Sequence, residues 1–356
     1  MLRKISATFV AMSAVLTGFS QDSATVVSPK LTVTGSVDAY YRFNFNNTKD
    51  LRDDAGNRSF YNNATSFTNS HNSFELGMAS VKFDYNTGKV GVVADLGFGR
   101  RAEEFSYNES GTLAAVKQAY LTYSASDKLK FTFGKFGTHV GYELLDPQLN
   151  RNYSMSYMFS YGPFFHTGLK ADITISDNFG FMVGVANPTD YLSASFEKKF
   201  ILAQVHAMFA EGKVATYLNY VGGEDIAGIK SNQIDAVITG KVSDKFSLGY
   251  NGTIKLTDYN DQSDSWFGSA LYINVDPTPK FGLTLRGEYF DDKDNIAGVG
   301  DQIIATTLSF NIKPASNLII MPEFRLDSAK DPYFIKNSGE GTKSSASFLL
   351  AAIVSF

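Results

Sequence analysis

Apolar and polar residues alternate with period two along most of this 356-residue chain. Such alternation sends successive side chains to opposite faces of a strand. Over residues 31–46, Val33, Val37, Ala39, Tyr41, Phe43 and Phe45 share one face, while Thr32, Thr34, Ser36, Asp38, Tyr40, Arg42 and Asn44 share the other. Residues 90–99, 246–255 and 281–290 repeat the pattern. Over 74–85 the apolar phase shifts after Met78, which predicts a β-bulge.

The connections alternate as well. Short ones at 86–88, 125–127, 176–178, 210–213, 243–245, 277–280 and 314–317 each carry the Gly, Pro, Asn, Asp or Ser of a tight reversal. Longer polar ones fall at 47–71, 100–112, 137–163, 187–199, 222–231, 256–265, 291–301 and 328–344. Together they join 16 strands. A soluble sandwich has no reason to alternate its loop lengths, whereas an outer-membrane barrel does: short periplasmic turns, long external loops and an even strand count. In lipid no water satisfies an open sheet edge, so the sheet closes. Closure at this strand number leaves an aqueous bore, which accounts for the polar inner rows. The expected fold is therefore an all-β, transmembrane antiparallel barrel of 16 strands.

Aromatic residues support two interfacial girdles. Tyr85, Tyr123, Phe179, Phe209, Phe246, Phe281 and Phe310 lie beside short turns; Tyr41, Phe43, Phe98, Tyr250 and Tyr289 are assigned to the other strand ends. In the last strand Phe348, Leu350, Ala352, Val354 and Phe356 share a face, and the closing Phe356 is the expected assembly signal.

Arg3 and Lys4, the apolar run 5–16 and the small residues Gly18 and Ser20 read as a signal peptide over 1–20, cleaved before Gln21. The run is shorter than the roughly 20 residues a spanning helix needs. A short periplasmic segment, 21–30, would then precede a barrel over 31–356. The absence of Cys excludes a disulfide framework, a thiolate metal site and a lipid-anchored cysteine. Removing Arg3 and Lys4 takes the formal charge from −4 to −6, which argues against nucleic acid as a partner.

The third long connection, 137–163, departs from the others. It is rich in Tyr, Phe, Met, Ser and Asn and carries little charge. A loop of that composition is expected to fold into the bore and narrow it; an external cap or subunit contact is the alternative. In the constriction reading Glu143, Asp146, Asn150, Arg151 and Asn152 face the solute. Tyr153 also belongs to the constriction and, with Tyr157, Phe159 and Tyr161, mainly anchors. Parity places Asp38, Arg42, Lys130, His166, Lys170, Arg286, Glu288, Glu323 and Arg325 on the pore lining, with Lys82, Asp95, Asp172, Asp235, Lys241, Lys255 and Asp327 on the same inner face. Such charges select solutes or pair across strands to brace the wall. Both roles stay open for Arg286 with Glu288 and for Glu323 with Arg325.

Catalysis finds little support. The four histidines, His71, His139, His166 and His206, show no Ser partner on the lipid-facing side, where an outer-membrane hydrolase would need one. No Gly-rich phosphate loop and no clustered metal ligands occur. The acidic segment 258–264 departs from EF-hand spacing and reads as a solvated loop. No enzyme, catalytic residue, cofactor or metal is expected.

The stretch "GTHVGYELLDPQLNRNYSMSYMFSYGPFFHTGLKAD", with "TGSVDAYYRFNFN", "MPEFRLD" and the aromatic end, resembles the Bacteroidota family of OmpL-like β-barrel porins. The resemblance covers essentially the mature chain. It implies an outer-membrane barrel with a pore role and brings no assigned solute. In sixteen-strand general porins the third loop narrows the bore, so its position here agrees with its composition. The expected function is passive diffusion of small hydrophilic solutes or ions; the alternatives are a non-conducting structural or adhesin barrel and a channel for apolar molecules. Expected partners are outer-membrane lipids and lipopolysaccharide, the barrel-assembly machinery during biogenesis, and the solutes. A homo-oligomer is open, with no residue that fixes its contact.

Overall fold

The computed structural model describes residues 29–48, 62–260 and 262–356. The expected signal peptide, and all of the 21–30 segment except its last two residues, lie outside the described residues. The strands are β1 (Lys30–Asn44), β2 (Ser73–Asn86), β3 (Val90–Phe98), β4 (Val116–Ser126), β5 (Leu129–Gly137), β6 (Phe165–Ser176), β7 (Phe179–Ala186), β8 (Phe200–Phe209), β9 (Val214–Glu224), β10 (Lys230–Ser243), β11 (Phe246–Tyr259), β12 (Gln262–Thr278), β13 (Phe281–Asp291), β14 (Gln302–Ala315), β15 (Leu318–Ala329), β16 (Phe334–Ile335), β17 (Gly341–Thr342) and β18 (Ser344–Ser355). Sixteen of them pair with their neighbours in sequence order, all antiparallel, and close into one barrel. The two-residue strands β16 and β17 form a separate hairpin within the last long connection.

Closure occurs between β1 and β18, in register from Ser36↔Ser355 to Asn44↔Ser347. Phe356 extends this seam by exchanging backbone hydrogen bonds with Gly35, both at 3.0 Å. A Cβ at Gly35 would meet the Ser80 carbonyl at 2.5 Å and the Phe356 ring at 2.6 Å, so only glycine admits that ring. The outer rows carry exposed Phe74, Leu121, Phe133, Val183, Leu271, Ile304 and Leu326. An apolar belt of this extent is stable only against a non-aqueous surface.

All seven short turns fall where expected. The long connections are less uniform. Most of the loop expected over 256–265 is strand instead: β11 and β12 stay in register out to Tyr259↔Gln262. Asn260, with φ of 48°, makes part of the reversal, a left-handed conformation that Asn tolerates. Polarity suggested a loop because strands standing above the bilayer need no apolar row. For the same reason Tyr250, assigned to a far strand end, is only the fifth residue of the 14-residue β11. Likewise, the connection expected over 222–231 shrinks to the five residues between Glu224 and Lys230.

Two bulges reset the inner face. Asp38 pairs with Met78 and Ala39 with Leu76, leaving Gly77 as the extra residue. This is the phase break seen in the sequence. A second irregularity lies between Asp95↔Gln118 and Leu96↔Val116, and it leaves Lys117 unpaired in the ladder.

The inner rows are not uniformly wet. Trp266, Ala270, Tyr272, Phe290, Ile303 and Ala305 form a buried cluster with Tyr157 and Met158. Met321, Leu349, Ala351 and Ile353 form another with Tyr40 and Tyr153. The expectation of polar inner rows throughout is thus corrected for this half of the wall. In the first cluster those apolar side chains pack partly on Val299 and Phe334 of later connections, and in both they pack on the connection between β5 and β6.

Candidate functional site

That connection, residues 138–164, contains a short helix, α1 of the loop (Tyr157–Tyr161), whose first turn is capped by Ser156 Oγ accepting from Phe159 N–H at 3.1 Å. Its polar groups find partners around the barrel wall. Glu143 accepts from Arg286 Nη1 at 2.5 Å, from the Tyr272 hydroxyl at 3.2 Å and from Ser156 N–H at 2.8 Å. Asp146 meets Lys117 Nζ at 2.5 Å, and the same ammonium reaches Asp95 at 3.1 Å. Arg151 grips Asp276 with two N–H groups at 2.7 and 3.1 Å and donates through Nε to Thr284 Oγ1 at 2.8 Å. Asn152 donates to Ser309 Oγ at 2.7 Å. The Tyr153 hydroxyl donates to Asp38.

Backbone groups are held as well. The N–H groups of Tyr153 and Ser154 donate to Glu323 at 2.9 and 3.2 Å. Those of Tyr157 and Met158 donate to Glu288 at 2.9 and 3.0 Å, which places a carboxylate at the start of the short helix. The Ser154 and Met155 carbonyls accept from Arg286 at 2.8 and 3.3 Å, and Met155 also from Arg325 at 2.7 Å. Burying an unpaired carboxylate or amide is costly. The complementary sets on loop and wall remove that cost and fix the loop in one place.

This geometry revises the expected division of labour. Glu143, Asn152 and Tyr153 are buried among wall side chains; Asp146, Asn150 and Arg151 remain partly exposed. Asn150 braces the loop itself, donating to the Leu144 carbonyl at 2.5 Å and accepting from Leu144 N–H at 2.9 Å. Neither Arg286 with Glu288 nor Glu323 with Arg325 forms a direct pair among the described residues. All four act on the loop, with Arg325 also holding Asp327 at 2.9 Å. Arg42 serves the first long connection, donating to the Ser70 and Asn62 carbonyls at 2.6 and 3.2 Å. Lys170 pairs with Asp172 at 3.2 Å, His166 is buried beside Thr138 Oγ1 at 3.1 Å, and Lys130 stays exposed near a short turn.

Sequence reasoning missed three residues here. Lys117 has the parity of the outward Ala119 and Leu121; the bulge turns it inward. Arg101, in the short helical segment Arg100–Phe105, donates to the Leu145 and Tyr153 carbonyls, both at 3.2 Å, and lies 4.8 Å above the Tyr153 ring. Loop residues have no parity to read. Asp190, between β7 and β8, accepts from the N–H groups of Phe164 and Phe165 at 2.8 and 2.9 Å and from the Tyr107 hydroxyl at 3.2 Å. It pins the point where the third loop rejoins the barrel.

Burial raises Asp190 from the ordinary 3.8 to about 6, against the lowering effect of those donors. The folded barrel therefore binds this proton more tightly than the unfolded chain does. Stability falls as pH rises from about 4 to about 6 and is flat above, by at most about 1.4 kcal/mol per pH unit. Asp190→Asn is expected to lack that component. Thermal unfolding in detergent at pH 4, 5, 6 and 7 measures it, and identical pH slopes in the two proteins would refute it.

Two cavities flank the loop. One, of about 730 Å³, lies toward the long connections and is lined by Tyr161, Lys255 and Trp266 among others. The second, of about 590 Å³, lies toward the short turns and is lined by His139, Asp146, Gln204 and Tyr217 among others. Phe164 lines both.

Comparison with known proteins agrees with this architecture. The outer membrane channel DcaP of Acinetobacter baumannii superposes with a TM-score of 0.62 at 12% identity, covering 96% of this chain and 100% of that one. An anion-selective porin from Comamonas acidovorans gives 0.62 at 9% identity, covering 92% and 100%. The trimer form of OmpT from Vibrio cholerae gives 0.60 at 14% identity, covering 92% and 99%. At such identities the likeness establishes the fold. No curated protein matches the chain in sequence. The family model described as "Putative beta-barrel porin-2, OmpL-like" matches residues 30–356, the whole of the barrel, and the chain belongs to that family of porins.

Proposed function

We propose that this porin passes small hydrophilic solutes and ions by passive diffusion through an outer membrane, with the third loop as its size filter. The observation that carries the reading is the loop held against the wall from β1 to β15, with one cavity on each side of Phe164. A closed antiparallel barrel with an apolar outer belt is the architecture for that setting. Partly exposed Asp146, Asn150 and Arg151 and the inner-face Lys130 and Lys170 are the polar groups proposed to meet a solute. Catalysis forms no part of this function.

Location in a Bacteroidota outer membrane, export by the signal peptide, and recognition of Phe356 by the assembly machinery belong to the same proposal. So do contacts with lipopolysaccharide and assembly into a homo-oligomer; one structural neighbour is a trimer. The packed loop also supports a second reading, a barrel that its own loop keeps shut. Planar-bilayer recordings separate the two. Wild type is expected to show stepwise current, and deletion of residues 148–160 is expected to raise unit conductance about two- to fivefold by restoring the cross-section of an open bore. Silence from wild type, with current appearing only after the deletion, would favour the barrel that its loop keeps shut, and silence from both proteins would refute conduction altogether.

A further inference from the structure

The cavity on the long-connection side has a wall unlike the rest of the bore. Gln233 pairs in register with Lys255 across β10 and β11. Lys255 pairs in turn with Trp266 across β11 and β12. An amide, an ammonium and an indole thus form one row, all three lining the cavity, with Ser231 and the rings of Tyr107 and Tyr161 also on its wall. Its volume, about 730 Å³, falls in the range of small-molecule sites, roughly 300–1,000 Å³.

The charged groups on this wall differ in what they still have to offer. The carboxylates are engaged by N–H donors. Glu104 accepts from Phe67 N–H at 2.6 Å. Asp225 accepts from Ala227 and Ile229 N–H, both at 2.9 Å. Asp190 accepts from Phe164 and Phe165. Lys255 is different: Asp190 and Asp225 act on it electrostatically, yet it makes no hydrogen bond or ion pair among the described residues. Its three donors are available to a solute. A hydroxylated ring could rest on an aromatic face, exchange hydrogen bonds with Gln233 and Ser231, and place an acidic group on the ammonium.

We propose that this cavity is a binding site for small polyhydroxylated carboxylates of the sugar-acid type, with Lys255 as the residue that selects the acid over the neutral sugar. The proposal names the solute class for the pore reading and rests on it for its physiological meaning. Binding itself can be tested without current. Trp266 is the sole tryptophan of the chain and lines the site, so its fluorescence reports occupancy directly.

The experiment titrates the folded barrel in neutral detergent micelles with D-galacturonate and, separately, with D-galactose, two probes that differ by one carboxylate. Saturable fluorescence change with galacturonate is expected, with galactose weaker. Lys255→Met should weaken galacturonate by about five- to tenfold, the loss of a charge-assisted contact, and so bring the two probes to similar midpoints. Lys255→Arg should retain the preference for the acid. Equal titrations by the two probes in wild type, an unaltered galacturonate midpoint in Lys255→Met, or no saturable response overturns the proposal. Bilayer current in KCl is recorded on the same preparations. Current without acid preference leaves the porin reading standing and removes the site; acid preference without current does the reverse.

Discussion

Replacing Arg286 by Met is expected to lower the unfolding free energy of the barrel by about 3–5 kcal/mol, the cost of leaving a buried ionic partner uncompensated. Arg286 is fully buried, and Glu143, its partner at 2.5 Å, has only 4% of its side chain exposed. The same guanidinium holds the Ser154 and Met155 carbonyls and Thr307 Oγ1. Its loss would free the middle of the third loop from the wall between β13 and β14. The channel should therefore also become noisier, as the loop samples positions off the wall. Urea unfolding in micelles and single-channel recording measure the two effects. A double variant, Arg286→Met with Glu143→Leu, removes both charges and should recover most of the stability, because an apolar pair of similar volume replaces a buried ion pair at little net cost. A single-variant loss below about 1 kcal/mol, the size found for solvent-exposed pairs, would show that this pair does not clamp the loop.

Phe164→Ala is expected to act on both stability and current. The Phe164 side chain is buried, with ring centroids 5.5 Å from Phe159, 5.7 Å from Phe67 and 5.8 Å from Phe105. Removing it should cost about 3–5 kcal/mol. Since the residue lines both cavities, its removal should join them and raise unit conductance by about twofold, through a wider constriction. Phe164→Leu keeps most of the volume and serves as the control if the alanine variant does not fold. It should sit near wild type in stability, with a smaller rise in current. Conductance unchanged in a folded alanine variant would place the narrowest point elsewhere on the loop.

The barrel itself was legible in the sequence because a membrane-facing sheet leaves a strict mark. Most strands alternate, each short turn carries its breakers, and the bulge at Gly77 appears as a break in phase after Met78. The reason for that bulge was not legible. A Cβ on Gly77 would lie 1.8 Å from an Asp38 oxygen and 2.5 Å from the Tyr153 hydroxyl, so glycine there makes room for the tip of the third loop. The composition of residues 137–163 announced that this loop has an apolar neighbour. It did not announce that Glu143 and Asn152 would be buried too, because a polar side chain reads the same whether water or a wall residue satisfies it. Lys117 was hidden by a bulge between two strands, a feature that belongs to their pairing and not to either segment alone.

Period, turn chemistry and the unusual third loop are local properties, and each residue's neighbours in the chain suffice to set them. They determined a closed 16-stranded barrel with one loop unsuited to open water. Which wall carboxylate receives which loop N–H, and how Gln233, Lys255 and Trp266 come to stand in one row, depend on register around the cylinder. Register joins residues far apart in the chain through backbone hydrogen bonds, so only the closed tertiary structure could decide them.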